Sequence, residues 1–175
     1  MIATTTLNKI RSHGPCESGW RKLLKGLGKS EADDSNLSLE RILEINGLDD
    51  ALWALRSVDG IEKAARLFAC DCAQRVAHLN PDPRVQAAID TARRFARGEA
   101  NREELQAAQD AAYAARCAAA YAGSAAWYAW SAAVDAARAV AWEFAWSVAV
   151  DAARAVAGGS ERKIQIKLFI KYFCR

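Results

Sequence analysis

Cys70 and Cys72 are the residues whose types and spacing come closest to a metal or redox site in this chain. Two residues apart on a helix, the two thiols would point in different directions, and no second Cys or His pair lies at ligand spacing. His13 and His78 are isolated in the sequence and are interpreted as capping or packing residues. The chain also lacks a glycine-rich phosphate loop, a nucleophile elbow and a paired-carboxylate pattern. We therefore predict no metal site, no cofactor and no enzymatic activity.

Aromatic side chains set into an alanine-rich stretch are stronger candidates for a functional surface. Residues 107–157 are about half alanine, and a cluster of large rings interrupts them. Some of these rings must fill the core, because alanine alone packs too thinly to form one. Any ring that is exposed would anchor a binding surface, since Trp and Tyr dominate the energetics of protein interfaces. The rings are Trp127, Tyr128, Trp130, Trp142, Phe144 and Trp146.

Two groups of basic residues could add electrostatic contacts to such a surface. The first group is Arg21, Lys22, Lys25 and Lys29, and the second is Arg162, Lys163, Lys167, Lys171 and Arg175. The formal net charge of +3 is too small to indicate nucleic-acid binding, and a charge run is usually a solvated helix face. As candidate partner-binding residues we name Trp127, Trp130, Trp142, Trp146, Lys163, Lys167 and Lys171.

A short segment recurs within the alanine-rich stretch. Its copies are 130–141 and 146–157, sixteen residues apart, and each carries Asp and Arg at i, i+3, a spacing that predicts a local ion pair. Sixteen residues correspond to a rotation of about 160°, so on one straight helix the copies would point to nearly opposite sides. Either a central helix over 125–157, roughly 50 Å long, is contacted on several sides, or a break makes two short helices. We favour the central helix. The pairs are Asp135/Arg138 and Asp151/Arg154.

The elements that would position these residues are all helical. Residues 1–60 are punctuated by glycines and fit short helices. Residues 61–98 fit a helical hairpin, and 161–175 a short amphipathic helix, with a strand as the alternative. We therefore predict an all-α helical bundle, in which short N-terminal helices pack on a helical hairpin and a long alanine-rich helix. Its regions are 1–60 and 61–175, which we expect to form one continuous globular unit.

Capping residues predict where several helices begin. Asp82 can cap a helix that opens with Pro83, the favoured residue at a first helical position. Asn101 and Glu104 have the spacing of a capping box. Gly123 and the serine after it indicate a bend or break farther along the chain.

Cysteine usage and the N-terminus bear on the compartment. The five cysteines are an odd number without disulfide-framework spacing, and Met1–Thr6 lacks the basic and apolar regions of a signal peptide. Cys117–Val134 has no charged residue and is about the minimum length of a membrane span, but alanine is nearly neutral for insertion. We therefore expect reduced thiols, no membrane insertion and a cytoplasmic location.

Several segments of the chain resemble known groups of proteins. Residues 18–28 and 46–56 are similar to small phage and prophage proteins without assigned activity. Three segments of the helical hairpin, with the alanine-rich tail, resemble alanine-rich helical proteins that are classed as immunity proteins in bacterial toxin conflict. This second resemblance covers about residues 65–157. Its three segments are Ala65–Val76, Pro83–Asp90 and Phe95–Gly98.

These resemblances imply a protein that acts by binding another protein in genetic conflict, and they supply no catalytic residues. We therefore predict a non-enzymatic inhibitor that occludes a macromolecular target. The target is either a bacterial defence effector, as for a phage-encoded anti-CRISPR protein, or a cognate toxin. Two alternatives are a nucleic-acid-binding module that uses the basic helices and a self-assembling helical protein such as a homodimer.

Overall fold

The fold is an all-α helical bundle, as the sequence predicts. The computed structural model describes residues 2–115, 123–138, 143–156 and 159–175, and it is 75% helical. No helix within these ranges is both long and apolar enough to cross a lipid bilayer.

Ten α-helices and two very short strands lie in the described residues. The N-terminal elements are β1 (Thr4–Thr5), α1 (Leu7–Ser12), α2 (Glu17–Leu27), β2 (Leu37–Ser38), α3 (Leu39–Asn46) and α4 (Leu48–Ala54). The later helices are α5 (Glu62–Val76), α6 (Pro83–Arg97), α7 (Arg102–Ala114), α8 (Ser124–Arg138), α9 (Glu143–Ala155) and α10 (Ser160–Phe173). Short 3₁₀ turns follow α4 and α5, at Leu55–Ser57 and Ala77–Leu79.

Contacts along the chain divide it into two compact units. Unit 1 consists of Met1–Ile61 and Phe169–Arg175, and unit 2 consists of Glu62–Leu168. In unit 1 the strands β1 and β2 pair antiparallel, a contact that residues 1–60 gave no reason to expect because each strand has only two residues. The main-chain N–H of Ala3 donates to the carbonyl of Phe173, 2.9 Å away, which ties the end of the chain into this unit.

The predicted helix starts in unit 2 are confirmed. The Asp82 side chain accepts from the main-chain N–H of Arg84, and Pro83 opens α6. Asn101 and Glu104 form a complete capping box at the start of α7. Gly123 has φ of 99°, a left-handed conformation that favours glycine, and α8 begins at the next residue. Local capping chemistry therefore fixes these boundaries.

The favoured central helix over 125–157 is wrong, and the two-helix alternative is correct. The stretch forms α8 and α9, which pack against each other, with residues 139–142 outside the described ranges. Alanines on both helices are fully buried, and their small side chains allow two helices to approach closely. Two short helices can bury such faces against each other, whereas one long helix needs other elements to cover every side. The buried alanines include Ala132, Ala133, Ala136, Ala149 and Ala152.

The C-terminal segment is a helix, α10, rather than a strand, and two buried polar side chains fix its start in unit 2. Glu161 is 1% exposed, and both its carboxylate oxygens accept from Arg75 Nε, at 3.0 and 2.9 Å. Gln165 is fully buried and donates to the main-chain carbonyl of Ala149 at 2.7 Å. Because an unpaired buried polar group costs free energy, these bonds specify how α10 packs on α5 and α9.

Glu161→Gln tests this attachment. The variant keeps the shape of the side chain but removes the charge that faces Arg75. We expect the free energy of unfolding to fall by about 1–3 kcal/mol, because a charge-assisted hydrogen bond in a buried position is weakened. Urea denaturation followed by circular dichroism measures the change.

The matched control for this experiment is Glu62→Gln. Glu62 also lies in the first turn of a helix, α5, but it is exposed, so this variant changes the interaction with the helix dipole without breaking a buried pair. We expect its effect to stay within about 0.5 kcal/mol. Equal losses in the two variants would contradict a structural role for the Glu161–Arg75 pair.

Candidate functional site

Tyr113 in unit 2 is the most exposed large ring in the described residues. It lies in the last turn of α7 and is 50% exposed. Its ring centroid is 5.8 Å from that of Trp130 on α8, with the planes tilted by 56°. A tilted contact at this distance is favourable between aromatic rings, so Tyr113 is held at the surface on an aromatic support.

Trp130 provides that support from the core. It is 6% exposed, and its indole N–H donates to the main-chain carbonyl of Ala112 at 2.7 Å. The half-buried ring of Trp127, one turn earlier on α8, lies with its centroid 4.8 Å from that of Trp130. The hydrogen bond and the ring contacts fix the orientation of the cluster, so little conformational entropy remains to be lost on binding.

A shallow cleft continues this surface at the start of α8. It has a volume of about 290 Å³ and is lined by Gly123, Ser124, Trp127 and Tyr128. The Arg154 guanidinium lies 5.8 Å from the Tyr128 ring centroid and 3.6 Å from an Asp151 carboxylate oxygen, so the predicted ion pair of the second repeat is confirmed. The surface therefore combines apolar rings with a charged group at its side. We call the four rings the aromatic face: Tyr113, Trp127, Tyr128 and Trp130.

Two of the other predicted partner-binding residues lie wholly or partly outside the described ranges, and the remaining three lie on α10. Trp142 lies outside the described residues, as does the side chain of Trp146. In unit 2, Lys163 and Lys167 are exposed on α10. Lys171 is exposed in unit 1, where its ammonium lies 4.6 Å from the ring centroid of Tyr172. Of the seven predicted residues, the structure brings together Trp127 and Trp130.

Tyr113 was not among the predicted residues, although the helix pattern contains a signal for it. The buried residues of α7 are Leu105 and Ala112, seven positions apart and therefore on one side of the helix. Tyr113 follows Ala112 directly and is rotated by about 100° from that buried side. A large ring at such a position is a candidate for exposure, although Tyr113 lies outside the ring cluster from Trp127 to Trp146 that the sequence singles out.

The paired cysteines Cys70 and Cys72 lie in the core of unit 2. Burial raises the pKa of the Cys70 thiol to about 12, and it also raises the pKa of Cys72. Both side chains are fully buried. The described residues contain no cluster of three or more His, Cys, Asp or Glu side chains that could hold a metal ion. At neutral pH these two cysteines are therefore protonated, apolar core residues.

No protein-family model matches the chain, and neither a curated protein nor a solved structure is significantly similar to it. What the protein binds must accordingly be inferred from the chemistry of its own residues.

Trp130→Phe tests the support of the aromatic face. The variant removes the hydrogen bond to the Ala112 carbonyl and leaves a small void, so we expect the free energy of unfolding to fall by about 1–3 kcal/mol. Trp20→Phe is the control, because it shortens a half-buried indole in unit 1 that makes no such bond, and a smaller loss is expected. Chemical denaturation measures both. A larger loss for Trp20→Phe would argue against the support.

Thiol labelling tests the burial of the cysteines. The experiment uses a Cys117→Ser variant. In the described structure the Cys16 thiol is exposed. Burial raises the pKa of the Cys174 thiol to about 11, similar to that of Cys70. Because the thiolate is the reactive form, we expect a maleimide at pH 7.5 to modify Cys16 alone in the native protein. Intact mass spectrometry counts the adducts before and after unfolding in guanidinium. Rapid modification of a second thiol before unfolding would contradict this arrangement.

Proposed function

We propose that the protein acts by binding another protein through the aromatic face of unit 2. The observation that carries this proposal is the half-exposed ring of Tyr113, which rests on a buried and hydrogen-bonded Trp130. Tyr and Trp are enriched among the residues that dominate binding energy at interfaces. A large ring that is already fixed in place loses little entropy when a partner covers it.

The surroundings of the aromatic face suit a protein partner. Asp110 precedes Tyr113 by three residues on α7, which places it on the same side of the helix, and its carboxylate accepts from Gln106. Arg154 lies beside Tyr128 on the other part of the surface. An apolar centre with polar groups of both signs around it is the usual anatomy of a protein interface.

The biological role that we propose for this binding is inhibition in genetic conflict. The resemblance of residues 65–157 to immunity proteins supports this role, as does the similarity of the N-terminal segments to phage proteins. By this proposal the protein occludes its target and performs no chemistry on it. A phage-encoded inhibitor would bind a bacterial defence effector, and an immunity protein would bind a cognate toxin.

Tyr113→Ala tests the proposed interface. A tagged form of the protein is used to capture partners from host lysate, and the dissociation constant for the purified partner is then measured by calorimetry. We expect Tyr113→Ala to weaken binding by about 2 kcal/mol, or roughly thirtyfold, because the ring is the exposed anchor of the face. Unchanged melting temperature and circular dichroism would show that the variant is folded.

Ile2→Ala is the matched control for surface apolar area. Ile2 is 59% exposed in unit 1 and is the other large apolar side chain exposed in the described residues. We expect this variant to bind as the unaltered protein does. Equal affinity of Tyr113→Ala and the unaltered protein would exclude the aromatic face as the interface. Recovery of nucleic acid alone, with an affinity that falls steeply as salt rises, would favour the nucleic-acid alternative.

A partner identified in this way distinguishes the two proposed roles. Inhibition of a defence effector predicts that expression of the protein restores phage plating on cells that carry the defence system. Toxin immunity predicts that expression protects cells from a toxin encoded beside the gene. Tyr113→Ala should reduce either effect if occlusion through the aromatic face is the mechanism.

A further inference from the structure

Unit 1 contains a small cavity, and none of its lining residues belongs to the aromatic face. Its volume is about 100 Å³, and it is partly open to solvent. The indole rings of Trp20 on α2 and Trp53 on α4 form part of its wall, together with aliphatic side chains that include Ile10, Leu23 and Ile42. An apolar chain of a few carbons would find complementary surface here.

Asn46 and Asp50 provide the polar part of the lining. The Asn46 amide donates to the main-chain carbonyl of Gly19 at 2.9 Å and to Asp50 Oδ2 at 2.6 Å. A Cβ atom at Gly19 would stand 2.8 Å from Asp50 Oδ2, so a side chain at this position would displace the carboxylate. The carboxylate is therefore held at one place in the cavity wall by the packing of α2 against the residues of α3 and α4.

The charge of the lining determines which kind of ligand fits. No lysine, arginine or histidine lines the cavity, and Asp50 supplies its one formal charge. The Oδ1 atom of Asn46 is buried without a hydrogen-bond partner and adds further negative potential. Both donors of Asn46 are already used and its Oδ1 is buried, so the Asp50 carboxylate is the charged acceptor that the lining offers to a ligand.

The size of the cavity limits the ligand to a short chain. An engineered cavity of about 150 Å³ in another protein holds benzene, which has six carbons. A cavity two thirds as large holds about four non-hydrogen atoms, and its opening to solvent leaves room for a terminal polar group. We propose that the cavity binds an aliphatic ammonium group on a chain of about four carbons, the chemistry shared by a lysine side chain and a free alkylamine.

The aromatic walls are compatible with a cation. The Arg56 guanidinium lies 4.1 Å from the Trp53 ring centroid, outside the cavity lining, which leaves the Trp20 ring to contact a bound cation. Trp is the strongest side-chain partner for a cation, and its ring also covers the apolar chain. In this proposal the Asp50 carboxylate orients the ammonium group, and the Trp rings contact the apolar chain of the ligand.

The test compares n-butylammonium with n-butanol, a neutral molecule of nearly equal size, by titration followed by NMR. The indole N–H signals of Trp20 and Trp53 report binding, and they are assigned with Trp20→Phe and Trp53→Phe. We expect butylammonium to bind at least about tenfold more tightly than butanol, because a charge-assisted hydrogen bond to Asp50 is added. Equal affinity for the two probes, or no shift with either, would overturn the proposal.

Asp50→Asn locates the charge that binds the ammonium. This variant retains an oxygen that accepts from Asn46, and its binding of butanol shows whether the cavity remains intact. We expect it to lose the advantage of butylammonium over butanol. Asp49→Asn removes the same charge one residue away, outside the lining, and should keep that advantage. Loss of the advantage in Asp49→Asn but not in Asp50→Asn would overturn the assignment.

A further titration identifies the source of the ammonium. Nα-acetyl-lysine amide carries the same group on a peptide-like backbone, with Nα-acetyl-norleucine amide as its neutral control. Binding of the lysine derivative in preference to the norleucine derivative supports a lysine side chain as the occupant. Binding of butylammonium without binding of the lysine derivative supports a free amine instead, and failure of both ammonium probes excludes the site.

Discussion

The packing of α8 against α9, each of which buries alanines, is the constraint on which unit 2 depends. Their buried alanines include Ala133 and Ala152, neither of which has any exposed surface. Because alanine carries a single methyl group, two helices with such faces can lie near the lower limit of interhelical distance. The same property limits how much apolar area each buried residue contributes. The bundle therefore needs larger side chains at a few positions, and those positions are occupied by aromatic rings.

The free energy gained by burying apolar area is larger for a tryptophan than for an alanine, and this difference accounts for the burial of Trp130. A buried Trp removes about 150–250 Å² from water, which at about 25 cal/mol per Å² corresponds to about 4–6 kcal/mol. An alanine methyl contributes about 0.8 kcal/mol on the same scale. Trp130 thus contributes as much as several alanines, which is consistent with its burial at 6% exposure. Tyr113 follows the buried side of α7 by one residue and is left as the ring that a partner can contact.

Helix class and helix starts could be predicted from the sequence because they are local. Asp82 and Asn101 cap their helices with hydrogen bonds to residues two or three positions away. The turn at Gly123 depends on the positive φ of that residue alone. The division of 125–157 into α8 and α9 depends on which alanine faces meet, which periodicity within one segment does not reveal. The exposure of Tyr113 follows from its position beside the buried side of α7, whereas the cavity beside Asp50 depends on residues that are distant in the sequence.

The aromatic face of unit 2 and the cavity of unit 1 differ in whether their buried polar groups have hydrogen-bond partners. Glu161 and the indole N–H of Trp130 have their partners within unit 2, so the aromatic face rests on groups that are already satisfied. Asn46 differs, because its buried Oδ1 has no partner and an unmade hydrogen bond costs about 1–3 kcal/mol. Arg66 also has a buried unpaired nitrogen, but its guanidinium lies 4.5 Å from the Phe95 ring centroid, which offsets part of the cost. The uncompensated acceptor therefore belongs to a residue that lines the cavity of unit 1, whereas the aromatic face of unit 2 rests on paired groups.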